Sequence, residues 1–195
     1  MYRYEQTLLK EGYRNIAGCD EVGRGPLAGP LVAAAVVLNP DVEIKGLNDS
    51  KQLSEKKRNE LYQQVIKHAL AYNIQVIDSV MVDQLNVYQA SKKGMIDAIR
   101  AMPLEVDYIL SDAIDLKIDI PCKSLVKGDT LSASIAAASI LAKVTRDQYM
   151  KDLATTYPGY GFERHKGYPT KGHLEALKQL GITKEHRKTF KPVLA

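Results

Sequence analysis

Apolar and polar positions switch period repeatedly along the chain, and each switch marks a change of element. Leu31–Leu38 (LVAAAVVL) is an unbroken apolar run, as expected of a strand covered on both faces. Asn15–Cys19 is a shorter apolar run that meets Asp20-Glu21. Asn73–Val80 alternates like a strand, and Tyr108–Leu110 and Lys123–Val126 are short strands stopping at Ser111-Asp112 and Gly128-Asp129. Between them the spacing turns helical. Ser54 is placed to cap a helix from Glu55 to about Leu70, with Leu61, Val65 and His68 on one face. Asp83–Met102 keeps helical spacing through Leu85, Tyr88, Met95, Ile96 and Ile99. Thr130–Tyr157 is expected to be one long helix rich in Ala and Ser, whose small side chains let neighbouring backbone come close. Pro40, Gly46 and Asn48 make Asn39–Ser50 a loop, and Gly159–Gly172 is a glycine-rich loop dense in aromatic and basic residues. His173–Leu180 is helical, and Thr183–Arg187 makes a short turn. Strands interleaved with helices predict an α/β fold. The expected division is a layered domain over residues 1–142 and a helical addition over 143–195, with the Ala-rich helix crossing the boundary. No clean linker separates them, so the tail is expected to pack on the body.

At 195 residues, 45% hydrophobic and 26% charged, the chain can bury a real core, and its ordinary apolar content excludes a disordered chain. Two cysteines exclude a disulfide scaffold and leave no paired metal-binding cysteines. The richest apolar stretches, Leu31–Leu38 and Leu131–Val144, are well short of the ~20 residues a membrane span requires. The first fifteen residues carry no secretory core, so a reduced, cytoplasmic location is the expectation, with no membrane partner. The net charge of +4 is uneven: from Lys143 onward 11 Lys and Arg stand against 5 Asp and Glu, and three of the four histidines lie there. A basic end on a slightly acidic body suits a polyanion gripped from one side, or simply a solvated pair of charged helices.

The acidic residues carry the first chemistry. Asp20 and Glu21 end the first strand, Asp112 ends a later one, and Asp129 follows another and opens the Ala-rich helix. Ligands of open α/β sheets gather at the carboxyl ends of strands, so these four are placed to converge in one cleft. Carboxylates so gathered repel one another unless cations lie between them, and hard ions such as Mg²⁺ take oxygen ligands. Two such ions clamp the attacking and leaving oxygens of a phosphoryl displacement. The plainer readings are a helix cap for Asp129 and a turn residue for Asp112. The Asp20-Glu21 pair is harder to explain away, because adjacent acids beside an apolar strand are costly to bury unpartnered. Asp115, Asp119 and Asp147 are decoys, and Asp147, deep in a helix next to Arg146, is expected to make a local ion pair.

Directly after the acid pair comes Gly23-Arg24-Gly25-Pro26. Glycines flanking an arginine allow backbone N–H groups and a guanidinium close to a ribose or phosphate oxygen, although a tight strand connection needs Gly and Pro anyway. The phosphate-loop spacing G-x-x-x-x-G-K-[ST] is absent. Ser50 and Lys51 are candidate phosphate contacts, with Asp49 as a turn-shaping alternative. Tyr160–Thr170 interleaves rings and cations, which suits stacking on bases or sugars, or ordinary aromatic packing in a glycine loop. His165 has no companion at metal-ligand spacing, and Ser132, Ser134 and Ser139 lack a G-x-S-x-G elbow and are read as packing residues.

Taken in order, AGCDEVGRGPLAGPLVAAAVVL at 17–38, GLNDSKQLS at 46–54, Ser111-Asp112-Ala113, KGDTLSASIAAASILAKVTRD at 127–147, YPGYGFERHKGYPTKGH at 157–173 and EHRKTFKPV at 185–193 resemble the type 2 ribonuclease H family, specifically bacterial ribonuclease HII. The resemblance covers almost the whole chain and shows no departure at a motif position. It implies an RNase H-like fold, with a central mixed sheet flanked by helices and a C-terminal helical extension that grips a duplex. It implies a metal set of Asp20, Glu21, Asp112 and Asp129 holding two Mg²⁺ or Mn²⁺ ions once substrate is bound. It assigns Gly23, Arg24 and Gly25 to sensing the ribose 2′-OH, the one handle separating RNA from DNA. Tyr168 is assigned to stacking on the sugar that follows the ribonucleotide, which selects a 5′-RNA–DNA-3′ junction. The implied reaction is hydrolysis 5′ to a ribonucleotide in RNA–DNA hybrids or in duplex DNA, leaving 3′-OH and 5′-phosphate ends. Its implied use is ribonucleotide removal in repair and replication.

Three alternatives remain open at this level. A DNA junction nuclease of the same fold would not need the Gly23-Arg24-Gly25 and Tyr168 pair. A binder without catalysis gains nothing from acids that repel its polyanion. A type 3 ribonuclease H usually carries an extra N-terminal domain, and only 19 residues precede Asp20. The expectation is a monomer. Sliding-clamp association is an open expectation with no Q-x-x-[LI]-x-x-F-F peptide at the C-terminus to support it.

Overall fold

The computed structural model describes residues 1–193. Strands β1 (Ile16–Val22), β2 (Leu31–Leu38), β3 (Ala69–Ile77), β4 (Tyr108–Asp112) and β5 (Cys122–Leu125) form one sheet in the order β3-β2-β1-β4-β5. The β3, β2 and β1 pairings are antiparallel, whereas β1–β4 and β4–β5 are parallel. The sheet is therefore mixed, and three carboxyl strand ends, those of β1, β4 and β5, share one edge.

Strand alternation sorts the side chains between two cores. Ala17, Cys19, Leu31, Ala33, Ala35 and Val37 face α3 (Ser79–Leu85) and α4 (Val87–Arg100), where Met95, Ala98 and Ile99 are buried. Val32, Ala34 and Val36 face α2 (Glu55–His68) and α6 (Ala133–Thr156), against Leu61, Val65, Ala136, Ala137, Ile140 and Leu141. Each fully buried Val, Leu or Ile among these contributes about 1.5–3 kcal/mol over exposure. Close approach is extreme where Gly18 meets α6. A Cβ there would lie 2.1 Å from the Ser134 carbonyl carbon, which is why the run of Ala and Ser in α6 faces a glycine.

Several expected boundaries shift for identifiable reasons. The strand expected over Asn73–Val80 is β3, displaced toward the N-terminus, because Asp78 caps a helix through Met81 N and takes Val80 with it. The helix expected over Asp83–Met102 is split into α3 and α4 at Asn86, whose φ of 66° breaks the turn while its side chain caps the Tyr88 and Gln89 amides. The long helix expected over Thr130–Tyr157 is interrupted: a single turn, α5 (Gly128–Leu131), comes first. Ser132, with its hydroxyl accepting from Ile135 N, caps α6. Asp129 thus sits in α5 and is not the cap. The helix α1 (Arg3–Lys10) was not expected; it is anchored by Glu5, which accepts from the Ser132 hydroxyl at 2.5 Å and from Ser134 N at 2.9 Å. The glycine loop contains one turn, α7 (Phe162–His165), before α8 (Lys171–Leu180). The tail packs on the body: Ala28 is buried with Met150, Leu153, Tyr160, Phe162 and Ala176. Among the described residues no helix is long and apolar enough to cross a membrane.

Candidate active site

Parallel pairing explains why the acids meet. Cys19 pairs with Ser111 in the β1–β4 register, so the next residues, Asp20 and Asp112, leave the two strands side by side. Asp112 Oδ1 accepts from Gly128 N at 2.7 Å, which ties the end of β4 to the turn that carries Asp129. Alternation sends Asp20 toward α6, beside Ser139, and Glu21 to the other side, toward Arg24.

The site is strongly desolvated. Asp20 and Asp129 are 5% and 7% exposed. Burial, then the charges of Glu21 and Asp112, push the Asp20 carboxyl well above the ordinary range. Burial raises Glu21 to about 7, against an opposing pull from Arg24 at 3.3 Å. Burial, Asp49 and Asp112 raise Asp129 to about 6, and burial raises Asp112 as well. Lys51 shows the same field from the opposite sign: burial lowers it, but Asp49, Asp20, Asp129 and Asp112 together raise it. Among the described residues no three His, Cys, Asp or Glu side chains converge closely enough to enclose an ion as they stand. The fit to a divalent cation rests on the donor chemistry. The candidate donors are hard carboxylate oxygens, their mutual repulsion is only partly offset by Arg24 and Lys51, and Glu21 Oε2 is buried with no hydrogen-bond partner.

The loop after β1 is held from beneath by two arginines. Arg146 Nε donates to Pro30 O at 2.8 Å, and Arg187 Nη2 donates to Gly23 O at 2.7 Å and Gly29 O at 2.9 Å. Arg187 Nη1 also reaches Arg24 O. Both are fully buried, and burial brings them down to about 10 and about 9. Their donors hold the loop carbonyls inward. Gly23 has a φ of 96° and leaves no room for a Cβ, which would lie 2.3 Å from Arg146 Nε. Tyr168, 41% exposed, lies against this loop, since a Cβ on Gly25 would sit 3.4 Å from its ring. The structure thus brings Gly23, Gly25 and Tyr168 together across the chain.

Other expected residues are placed differently. Ser50 is buried and meets the Ser139 hydroxyl at 2.9 Å, so it supports the site from below, while Lys51 is exposed at the rim. Asp49 does shape the turn, accepting from Lys51 N, and also faces Asp129. Asp147 makes the expected local ion pair, with Lys143 one turn earlier at 2.6 Å, and approaches Arg58, while Arg146 is turned into the buried face of α6. Ser132 and Ser139 make the specific bonds already described, beyond simple packing. Asp115 and Asp119 are exposed and apart from the site. Sequence reading missed Arg146 and Arg187 as supports. For Arg146 a signal existed, since it continues the four-residue stripe Ala138, Ala142, Met150 on the buried face; Arg187 carried none.

The family described as Ribonuclease HII matches residues 17–193. Ribonuclease HII of Bacillus subtilis is 53% identical over 193 residues, covering 99% of this chain and 76% of the relative. Ribonuclease HII of Halalkalibacterium halodurans is 52% identical, covering 99% and 73%. Among solved structures, ribonuclease H2 from Pyrococcus horikoshii superposes with a TM-score of 0.80 at 26% identity, covering 93% of this chain and 96% of that one.

Proposed function

Because the chain belongs to the ribonuclease HII family, and so is an endoribonuclease acting on RNA–DNA substrates, we propose that it hydrolyses the phosphodiester 5′ to a ribonucleotide, in hybrids and at single ribonucleotides within duplex DNA. The observation that carries this reading is the meeting of the Gly23–Gly25 loop and the Tyr168 ring beside the buried acids. A DNA-only nuclease has no use for that adjacency.

In this reading Asp20, Glu21, Asp112 and Asp129 hold two divalent ions, Mg²⁺ or Mn²⁺, when substrate is bound. Ions held there would supply an activated water and charge stabilisation for the leaving 3′-oxygen. The chain's own residues do the selecting. Backbone amides of Gly23 and Gly25, with the Arg24 guanidinium, meet the ribose 2′-OH. Tyr168 stacks on the following sugar, so a ribose followed by deoxyribose is preferred over one followed by ribose. Lys51, raised by the surrounding acids, steers a phosphate toward them. Ser50 holds Ser139 and thereby the Asp20 carboxylate. Residues 143–195 act as the arm that grips the duplex, and residues 1–142 as the catalytic body. The product ends are 3′-OH and 5′-phosphate, and the role is ribonucleotide excision and primer removal by a cytoplasmic monomer.

The test is a duplex DNA carrying one ribonucleotide, incubated with Mg²⁺, with Mn²⁺ and with EDTA, beside an all-DNA duplex. One nick 5′ to the ribonucleotide, lost in EDTA and absent from the all-DNA control, is expected. Cleavage that persists in EDTA, or that is equal in the all-DNA duplex, overturns the reading.

A further inference from the structure

Three histidines lie under the Tyr168 loop without touching the acids. His173 and His186 are 0% and 1% exposed, and their Nε2 atoms are 3.1 Å apart. Their partners determine which nitrogen carries each proton. The Thr183 amide, which can only donate, points at His186 Nδ1 at 2.9 Å, so the His186 proton is on Nε2 and is donated to His173. His173 therefore accepts at Nε2 and carries its proton on Nδ1, which it donates to the Tyr168 carbonyl at 3.0 Å. Both rings are neutral in this chain, in keeping with burial, which lowers His173 and brings His186 to about 4. His165 stacks on His173 at 4.5 Å and accepts from Gly167 N through Nδ1.

The chain of bonds also ties Tyr168 to the loop it faces. Gly167 O accepts from Leu27 N, Gly29 N donates to Glu185 O, Arg187 N donates to Leu27 O, and His186 bridges Ala28. Every link joins the Gly23–Pro30 loop to either the Tyr168 loop or residues 185–187. A neutral imidazole has one donor and one acceptor about 2 Å apart, so two in series pass a single direction of bonding from Thr183 to Tyr168. Removal of either ring leaves a buried partner unsatisfied.

We propose that His186 and His173 are positioning residues: a directed relay, running Thr183 to His186 to His173 to the Tyr168 carbonyl, which sets the Tyr168 ring against Gly25 and so sets preference for the ribonucleotide–deoxyribonucleotide junction. The proposal rests on the reading of Tyr168 as the ring that stacks at that junction. Neither histidine touches substrate.

The test compares kcat/KM on a duplex with one embedded ribonucleotide against a uniform RNA–DNA hybrid, which presents no such junction at most cut sites. His173→Leu should lower the junction-to-hybrid ratio about tenfold, a loss of the size that small misplacements produce. His173→Asn, whose amide nitrogen can occupy the Nδ1 position, should recover most of the ratio. In a Tyr168→Ala background His173→Leu should produce no further drop, because both changes act on one contact. If His173→Leu does not melt cooperatively, the same ratio is read in His186→Asn, which removes only the far donor. A ratio unchanged in a folded variant, or additive losses in the double variant, overturns the relay. Wild-type protein that cuts neither substrate instead overturns the function proposed above.

Discussion

Asp112 combines two demands in one carboxylate: one oxygen accepts from Gly128 N and fixes the turn carrying Asp129, leaving the other to face the cleft. Asparagine keeps the accepting oxygen and removes the charge. Asp112→Asn should therefore leave the fold and hybrid binding intact while cleavage falls by roughly 10²–10³ or more, as for loss of a ligand to an ion that would stabilise developing charge. A filter-binding assay beside a cleavage time course checks both halves, and normal cleavage in metal removes Asp112 from the site. Gly18 is the structural counterpart. Its missing Cβ is occupied by backbone of α6 rather than by a movable side chain. Gly18→Ala should cost roughly 1–3 kcal/mol by overpacking, read as a lowered midpoint of thermal unfolding.

At the scale of elements, α6 runs from the acidic cluster into the C-terminal segment proposed to grip the duplex, and its start is set by a distant residue. Glu5 on α1 accepts from Ser132 and Ser134, capping α6 from across the molecule. Glu5→Ala strands those donors and should destabilise by about 1–3 kcal/mol, with urea unfolding as the measurement. The histidine pair between α8 and residues 183–187 has a pH signature. His186 is brought from 6.5 to about 4 in the folded protein. Between those values the unfolded chain takes up a proton that the folded chain refuses, so this contribution is full above pH 6.5 and is lost as pH falls toward 4. The raised carboxylates act in the opposite sense, so the histidine share is isolated by difference: His186→Asn should flatten the fall in thermal midpoint between pH 6.5 and 4. An identical slope in both proteins contradicts it.

For the whole molecule the separation of charge matters most. On the proposed function the acids Asp20, Glu21, Asp112 and Asp129 repel a nucleic acid, and the residues from Lys143 onward, net +6, attract it. Hybrid affinity should fall steeply with salt, with log K linear in log salt concentration. Lys171, whose side chain is 91% exposed at the start of α8, is a candidate phosphate contact. Lys171→Gln should reduce the slope by about 0.9 if it meets a phosphate in the duplex. A fluorescence-anisotropy titration at several salt concentrations measures this, and an unchanged slope removes Lys171 from the grip.

Much of this protein was legible in its residues because local rules govern those parts. The apolar run Leu31–Leu38 became β2 without a shift, Ser54 capped α2 as its position required, and Asp20 and Asp112 leave neighbouring parallel strands side by side, where the charge of one raises the other. The breaks at Asn86 and Ser132 were less visible, since a residue of positive φ or a capping side chain leaves the apolar spacing on either side of it unchanged. The chain order alone determined which residues are apolar, charged or conformationally free. Tertiary structure alone decided that Arg187 lies buried beneath the Gly23 loop, that Arg146 finds the Pro30 carbonyl there, and that Glu5 caps a helix more than 120 residues away. The reason is physical: a long polar side chain is buried only when distant backbone happens to supply its partners, and that coincidence has no local pattern.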